Sequence, residues 1–444
     1  MTKRNRIESS GGLKKTKKER AHVNFLGIPI DSIGKGEVKR HLLLLIAASL
    51  VTKLLVVILT ISVFHSFIDL FDIGFYFDHA MLLVQGQLPY INYSFDYPVL
   101  IFFPILIALI PTLLFQNAMA FLFTFSGLMV IFDIITLVCI YLIGLRIVNE
   151  KTAFYASMIY ATAFSTSYFV LTKYDAFPTN LLMVAVLFTV YGMNVRGYIA
   201  ATLGFFAKIF PALSFPFFIL YNAKSTSLKR ELISGMKVII PFLLILFLPF
   251  ALIRPAIINT YLFATGASVG VYVNTATFTL FAYLHNVVGL GVTASFVSFV
   301  MYILMELVLL TLLGVAFFDS ERRPKTLVKL LLATIFSVIF FTKFHSPQYI
   351  VWLTPFLCLL VADNLTKIIL FYIAQVFAYL EFPLMFGTFY TNLEYVSPVG
   401  TPSWDLTLIF FTLQYVVLVI LLFVALEPAD LLDVMKERVE RMRK

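Results

Sequence analysis

Four aspartates stand in one stretch of an otherwise apolar, basic chain. Asp69, Asp72, Asp78 and Asp96 all fall between His65 and Pro98, a segment with no lysine or arginine. A carboxylate in such a place can act as general base on a hydroxyl group. Farther along, Lys173, Lys208, Arg254 and Lys343 each stand at the end of an apolar run. A lysine or arginine so placed can stabilise a departing phosphate. Asp175 adds a second acid beside Lys173, and His345 and Gln348 share one polar loop. Acids and scattered cations around an apolar body suit a substrate with a lipid tail and a phosphate head. Glycosyl transfer from a lipid-linked phosphosugar needs those two roles, and a single displacement with one base inverts the anomeric centre.

The elements that must position these residues are membrane helices. The chain has 444 residues, 61% hydrophobic and only 13% charged, with 48 phenylalanines and a mean hydropathy of +0.95. Soluble domains carry about 25% charged residues. Apolar runs near the roughly 20 residues of a bilayer span recur from Leu42 onward. The runs are continuous rather than alternating, which excludes a β-barrel pattern and leaves an all-α polytopic membrane protein. The net charge of +9 does not point to nucleic acid, because residues 1–40 hold 11 Lys/Arg against 4 Asp/Glu. A basic tail before the first span marks the cytoplasmic side and is compatible with anionic lipid headgroups. The tail reads as disordered up to about Val23, and the first apolar run starts too late and is too long for a cleavable signal. Cys139 and Cys358 lie inside apolar runs and read as core residues.

With the amino terminus inside, the basic clusters order the rest. The first span is 41–63 and the acidic loop, 64–118, is external. The run 99–115 is short and broken by Pro104 and Pro111, so it is expected to dip into or lie along the outer face, with 119–145 as the next span. Spans follow at 152–171, 177–194, 238–253, 292–318, 330–342, 350–362, 367–386 and 406–426, and the arms 198–207 and 210–221 form a hairpin tipped by Lys208. That gives about twelve spans in a membrane domain over 41–426, between a basic tail at 1–40 and a tail at 427–444, both cytoplasmic. Lys173, Lys208, Arg254 and Lys343 then lie outside, where each either snorkels to headgroups or gathers with the others around an anion.

The residues themselves resemble a family. Asp72-Ile-Gly-Phe-Tyr76-Phe-Asp78-His-Ala80, Gly86-Gln-Leu-Pro89-Tyr90 and Tyr97-Pro98 resemble the first external loop of the GT-C glycosyltransferases. The nearest in pattern are the polyprenyl-phosphate-mannose-dependent mannosyltransferases of glycosyltransferase family 87 and the GPI mannosyltransferase I type. Lys208-Ile-Phe-Pro211 resembles the family's K-x-x-P element, and Ser346-Pro-Gln-Tyr349-Ile-Val-Trp352, after His345, its SPQY-x-x-W element. One departure is that Tyr97-Pro98 is followed by Val99 where the family has a second proline. The resemblance implies a GT-C-like helical bundle, membrane-lying helices after the first loop, a first-loop aspartate as base, a polyprenyl-phosphate-linked sugar donor and a lipid or glycan acceptor. It also implies a plasma membrane or endoplasmic reticulum location. In some of these enzymes an acid at the position of Asp175 joins the site, sometimes through a divalent metal.

Each residue also has a plainer reading. Asp72 is the expected base or else a helix-start residue, with Asp69 its competitor as base one turn earlier. Asp78 and Asp96 are expected to bind acceptor or to be structural. Tyr90 and Tyr97, beside prolines, shape the loop or sit at the interface. Lys173 and Asp175 could be a local pair at a helix end. Lys208 is expected on the donor phosphate, and His345 with Gln348 on phosphate or sugar. Asp133 and Glu306, inside spans, are expected to be protonated or hydrogen-bonded packing residues far from the site. No metal-ligand spacing, phosphate-cradling glycine loop or nucleotide fingerprint is present. A transporter or lipid flippase is the rival reading, weakened by the lack of an evident repeat between halves. A non-catalytic subunit needing a partner is the third.

Overall fold

The computed structural model describes residues 23–25, 28–30, 35–63, 68–255, 257–264, 270–319, 321–390 and 402–431. Most of both tails, His65 and Glu394 lie outside these residues. A three-residue antiparallel pair, β1 (Val23–Phe25) and β2 (Ile28–Ile30), precedes the body, which is otherwise helical. The helices are α1 (Lys35–Ser62), α2 (Phe71–Val84), α3 (Phe102–Phe115), α4 (Ala118–Ile147), α5 (Glu150–Ala161), α6 (Phe164–Thr172), α7 (Ala176–Val190), α8 (Asn194–Ala207) and α9 (Phe215–Ala223). They continue with α10 (Leu228–Leu246), α11 (Leu248–Ile253), α12 (Ile257–Ala264), α13 (Ala276–Ala282), α14 (Ala294–Phe318), α15 (Pro324–Phe341), α16 (Ile350–Val361), α17 (Leu365–Tyr379) and α18 (Pro402–Leu426). Six helical stretches among the described residues are long and apolar enough to cross a membrane, and four shorter apolar ones accompany them. The expected all-helical polytopic architecture is therefore what the chain adopts.

Several runs expected as single spans are broken, and the breaks carry the site. The run 152–171 divides into α5 and α6 at Thr162, whose hydroxyl bonds the Met158 carbonyl at 2.8 Å and the Tyr372 hydroxyl at 2.6 Å. Helix α6 then stops at Thr172, and Lys173 is extended (φ −130°, ψ 160°) before α7 begins at Ala176. Pro178 sits in the first turn of α7, where a missing backbone N–H costs nothing. A three-residue turn, Lys173-Tyr174-Asp175, is thereby presented between two packed helices.

Helix α3 packs back along α4, joined by Gln116 in the left-handed region (φ 50°) and Asn117, whose side chain caps α4 through the Met119 N–H at 2.8 Å. With 30 residues, α4 is about 45 Å long at the standard rise. That is enough to cross a bilayer and still run beside α3.

The first loop and the broken helices meet in an aromatic core. Tyr76 and Phe125 pack at 5.2 Å, Tyr97 and Tyr174 at 5.1 Å, and Phe95 and Phe102 at 4.9 Å. Tyr90, at positive φ (62°), sends its hydroxyl to the Tyr97 carbonyl at 2.5 Å. Arg254 donates to the Ile91 carbonyl at 3.1 Å and Thr260 to that of Phe95 at 2.7 Å. A loop without a long helix is thus tied down at three backbone carbonyls.

Deeper in the bundle, α1 and α4 are joined by a buried ion pair, Lys53 to Asp133 at 2.6 Å. Tyr160 donates to the other Asp133 oxygen at 2.6 Å. Asp133 thus has the expected hydrogen bond, and in addition an ion pair that the sequence did not indicate. A buried carboxylate in an apolar span is costly alone, and a lysine from a neighbouring span compensates it.

At the far ends of the helices that bear the site, a second set of polar contacts forms. Lys329 and Lys367 reach Glu427 at 3.0 and 2.6 Å. Arg322 lies over the Tyr221 ring at 4.7 Å and donates to the Thr189 carbonyl at 3.2 Å. The basic residues assigned by sequence to one side of the membrane therefore collect at one end of the bundle.

Candidate active site

The opposite end holds a cavity of about 830 Å³, walled by Asp72, Asp96, Tyr97, Tyr174, Lys208, Lys343, Gln348, Tyr349 and Trp352 among others. Two charged constellations stand beside each other on this wall.

The first belongs to the start of α2. Asp69 accepts the Phe71 N–H at 2.9 Å with one carboxylate oxygen, just ahead of the N-cap Leu70, while Asp72 lies in the first turn of α2. The other Asp69 oxygen meets Lys173 Nζ at 2.8 Å. The same ammonium lies 3.1 Å from Asp72, and Tyr76, one turn on, donates to the second Asp72 oxygen at 3.4 Å. Asp72 reaches the cavity wall, whereas Asp69 is not among its lining residues. Burial raises the Asp72 carboxyl above its ordinary 3.8, against the pull of Lys173, and the nearby Asp69 and Asp175 charges push the same way as burial. A raised pKa makes a carboxylate a stronger base while it remains ionised near neutrality.

The second constellation joins the turn before α7 to two motifs distant in sequence. Asp175 is fully buried. One of its oxygens accepts from Lys208 Nζ at 2.7 Å and from the Trp352 indole N–H at 2.6 Å. The lysine stands over the rings of Tyr174, Trp352 and Tyr349 at 4.6, 5.0 and 5.3 Å. Phe210, Trp352 and Tyr349 stack in turn, at 4.0 and 3.8 Å between centroids. A cation is stabilised by such faces, and the planar N–H of tryptophan fixes the carboxylate's orientation. Lys208 arrives there because α8 ends at Ala207 and the chain turns back at once. The turn requires Gly204: a Cβ there would lie 2.8 Å from that of Pro211.

The cations that sequence placed on one face do gather, but Lys173 and Lys208 gather around the protein's own carboxylates. Both are buried or nearly so, which removes the headgroup-snorkelling reading for them. Nor do Lys173 and Asp175 form the local helix-end pair: each takes a partner from another element. Lys343 lines the cavity, while Arg254 serves the first loop.

Of the other residues singled out from sequence, Gln348 and Tyr97 are on the cavity wall. Burial raises the Tyr97 hydroxyl pKa far above the ordinary phenol value. Tyr90 is buried behind the wall as a loop brace, and Asp78 is exposed on α2 away from it. His345 is also behind the wall. Its Nε2 is 3.8 Å from Glu381, itself held by Asn274 at 3.0 Å and Gln414 at 2.5 Å. Burial lowers the His345 pKa to about 4, so the imidazole is neutral at physiological pH. It therefore does not occupy the substrate-contacting place its motif suggested. Sequence reasoning also missed Tyr174 and the stacking role of Phe210. Their signal was adjacency to Lys173 and Asp175 in one case and to Lys208 in the other. Among the described residues no group of three or more metal-type ligands occurs.

No protein-family model matches the chain, and no curated protein matches it. Among solved structures, the chain is similar to the crystal structure of ArnT from Cupriavidus metallidurans bound to undecaprenyl phosphate. That match has a TM-score of 0.49 and 15% identity, covering 92% of this chain and 76% of the other.

Proposed function

We propose that the protein is an integral-membrane, inverting glycosyltransferase that moves a sugar, mannose by the family resemblance, from a polyprenyl-phosphate carrier to a hydroxyl of a lipid or glycan acceptor. The observation that carries this reading is convergence. The three stretches that resemble GT-C elements, far apart in sequence, supply Asp72, Lys208, Tyr349 and Trp352 to one cavity. A transporter tends to be built from related halves with matched interrupted helices, and no such repeat is evident in the sequence.

In the proposed reaction Asp72 accepts the proton of the acceptor hydroxyl as its oxygen attacks the anomeric carbon. The bond from that carbon to the phosphate oxygen breaks, and its electron pair stays on the phosphate. Lys173 orients Asp72 and keeps it ionised against the burial that raises its pKa. Asp175 and Trp352 hold Lys208 at the wall, where its charge, with that of Lys343, favours the departing phosphate. The chain sits with this cavity at the external or lumenal face and both termini in the cytoplasm.

The test is transfer of labelled sugar from polyprenyl-phosphate donors by membranes with and without the protein, across mannose, glucose and galactose donors. The reading expects transfer from mannose. Transfer from another sugar alone would keep the reaction class and replace the donor. No transfer from any, even by purified chain given extracted lipid acceptors, would overturn the reading.

A further inference from the structure

Glu306 is a carboxylate halfway along α14, inside a stretch with mean hydropathy 2.4. The sequence suggested a packing role remote from the site. The structure instead puts it on the wall of the same cavity as Asp72, on a helix face shared with Tyr302, Met305 and Leu309. The side chain is exposed, and among the described residues no ion pair or hydrogen bond engages it. The Tyr302 hydroxyl, one turn earlier, is buried beside the Lys343 backbone and takes no side-chain partner among the described residues. Ionisable groups in spanning helices are costly and mark ligand paths or partners.

The cavity is chemically divided. Asp72, Lys208 and Lys343 give it charge and Tyr97, Tyr174, Tyr349 and Trp352 give it aromatic wall, whereas Met305 and Leu309, on the face of α14 that bears Glu306, are apolar, as are the further lining residues Leu213 and Val338. An apolar wall suits a lipid chain, but an acceptor-only carboxylate set in it repels a phosphate and gains nothing from a hydrocarbon tail. It gains only from a group that donates hydrogen bonds.

We infer that Glu306 and Tyr302 form a second polar subsite, which holds a hydroxyl- or ammonium-bearing head of the acceptor while the donor phosphate lies at the Lys208 end. The inference rests on the glycosyltransferase reading for the word acceptor, but its test does not need turnover. Trp352 is on the cavity wall, so its fluorescence reports occupancy.

Purified protein in lipid nanodiscs would be titrated with octyl mannoside, octylamine and farnesyl phosphate, each below its micellar concentration. Wild type, Glu306→Gln and Glu306→Leu would be compared. The expected result is that both variants bind octyl mannoside or octylamine about tenfold or more weaker, the loss of a hydrogen bond to a charged group. Farnesyl phosphate binding would be unchanged. Whichever of the two head groups shows the dependence names the donor chemistry. Equal binding of both head groups by wild type and Glu306→Gln would overturn the subsite, as would equal weakening of all three probes. Failure of wild type to bind farnesyl phosphate would count against the glycosyltransferase reading and leave the Glu306 comparison to be scored on its own.

Discussion

The Lys208–Asp175 pair offers a quantitative test of how the cavity wall is built. Asp175 is fully buried, with two donors on one oxygen and, among the described residues, none on the other. Replacing Lys208 by methionine leaves that carboxylate in place with only the Trp352 indole. Removing one partner of a buried ion pair costs about 3–5 kcal/mol. Replacing both, as Lys208→Met with Asp175→Asn, leaves a neutral amide that can still accept from Trp352. Neutral replacement of both partners is often close to neutral in stability, so the double variant is expected within about 1–2 kcal/mol of wild type and above the single one. The assay is reversible unfolding in mixed micelles, followed by tryptophan fluorescence across the four corners of the cycle. A Lys208→Met variant as stable as wild type would refute the reasoning. So would a double variant whose loss equals the sum of the two singles.

Other outcomes follow from the same contacts. Gly204→Ala forces its Cβ against Pro211, at 2.8 Å before relaxation, and is expected to cost about 1–3 kcal/mol of stability in the same unfolding assay. Lys53→Met strands Asp133 in the bundle, where both partners are buried. It should cost about 3–5 kcal/mol, with recovery when Asp133→Asn is added. His345 is held neutral, with its pKa lowered to about 4. A depressed pKa of this kind gives stability that is full above the unfolded value of about 6.5 and is lost as pH falls toward the folded one. The difference in unfolding free energy between wild type and His345→Phe should therefore shrink over that window. Asp72, raised above 3.8 by burial, should give transfer an acid limb at higher pH than an ordinary aspartate would. The sign is opposite for stability: ionising Asp72 costs the folded state, so its contribution declines as pH rises through the raised value.

Composition and run length gave the helical membrane class, because a chain in lipid has few ways to satisfy its backbone. The charges placed the acidic loop and the cations Lys173, Lys208 and Lys343 at one end of the bundle. Motif resemblance then selected Lys208, Tyr349 and Trp352, which meet in the structure. Pairing was not legible: a lone lysine between apolar runs says nothing of whether its anion is a substrate or an aspartate 33 residues away. Helix breaks at Thr162 and Thr172 were also hidden, because hydropathy is blind to a threonine that bonds backward to its own carbonyls. Glu306 was misplaced for a related reason, since periodicity finds a helix face but not the cavity in front of it. His345 was overvalued because its neighbours Ser346, Gln348, Tyr349 and Trp352 line the wall while its own ring turns to Glu381.

The central claim is that Asp72, and not its neighbour Asp69, takes the acceptor proton. Its most direct test is a single-turnover transfer assay on purified wild type, Asp72→Asn and Asp69→Asn, with polyprenyl-phosphate-mannose and extracted lipid acceptors, at matched folding. The account predicts that Asp72→Asn abolishes transfer while leaving donor binding intact, and that Asp69→Asn, which loosens only the helix start and Lys173, retains a measurable rate. Transfer by Asp72→Asn at the wild-type rate would contradict it.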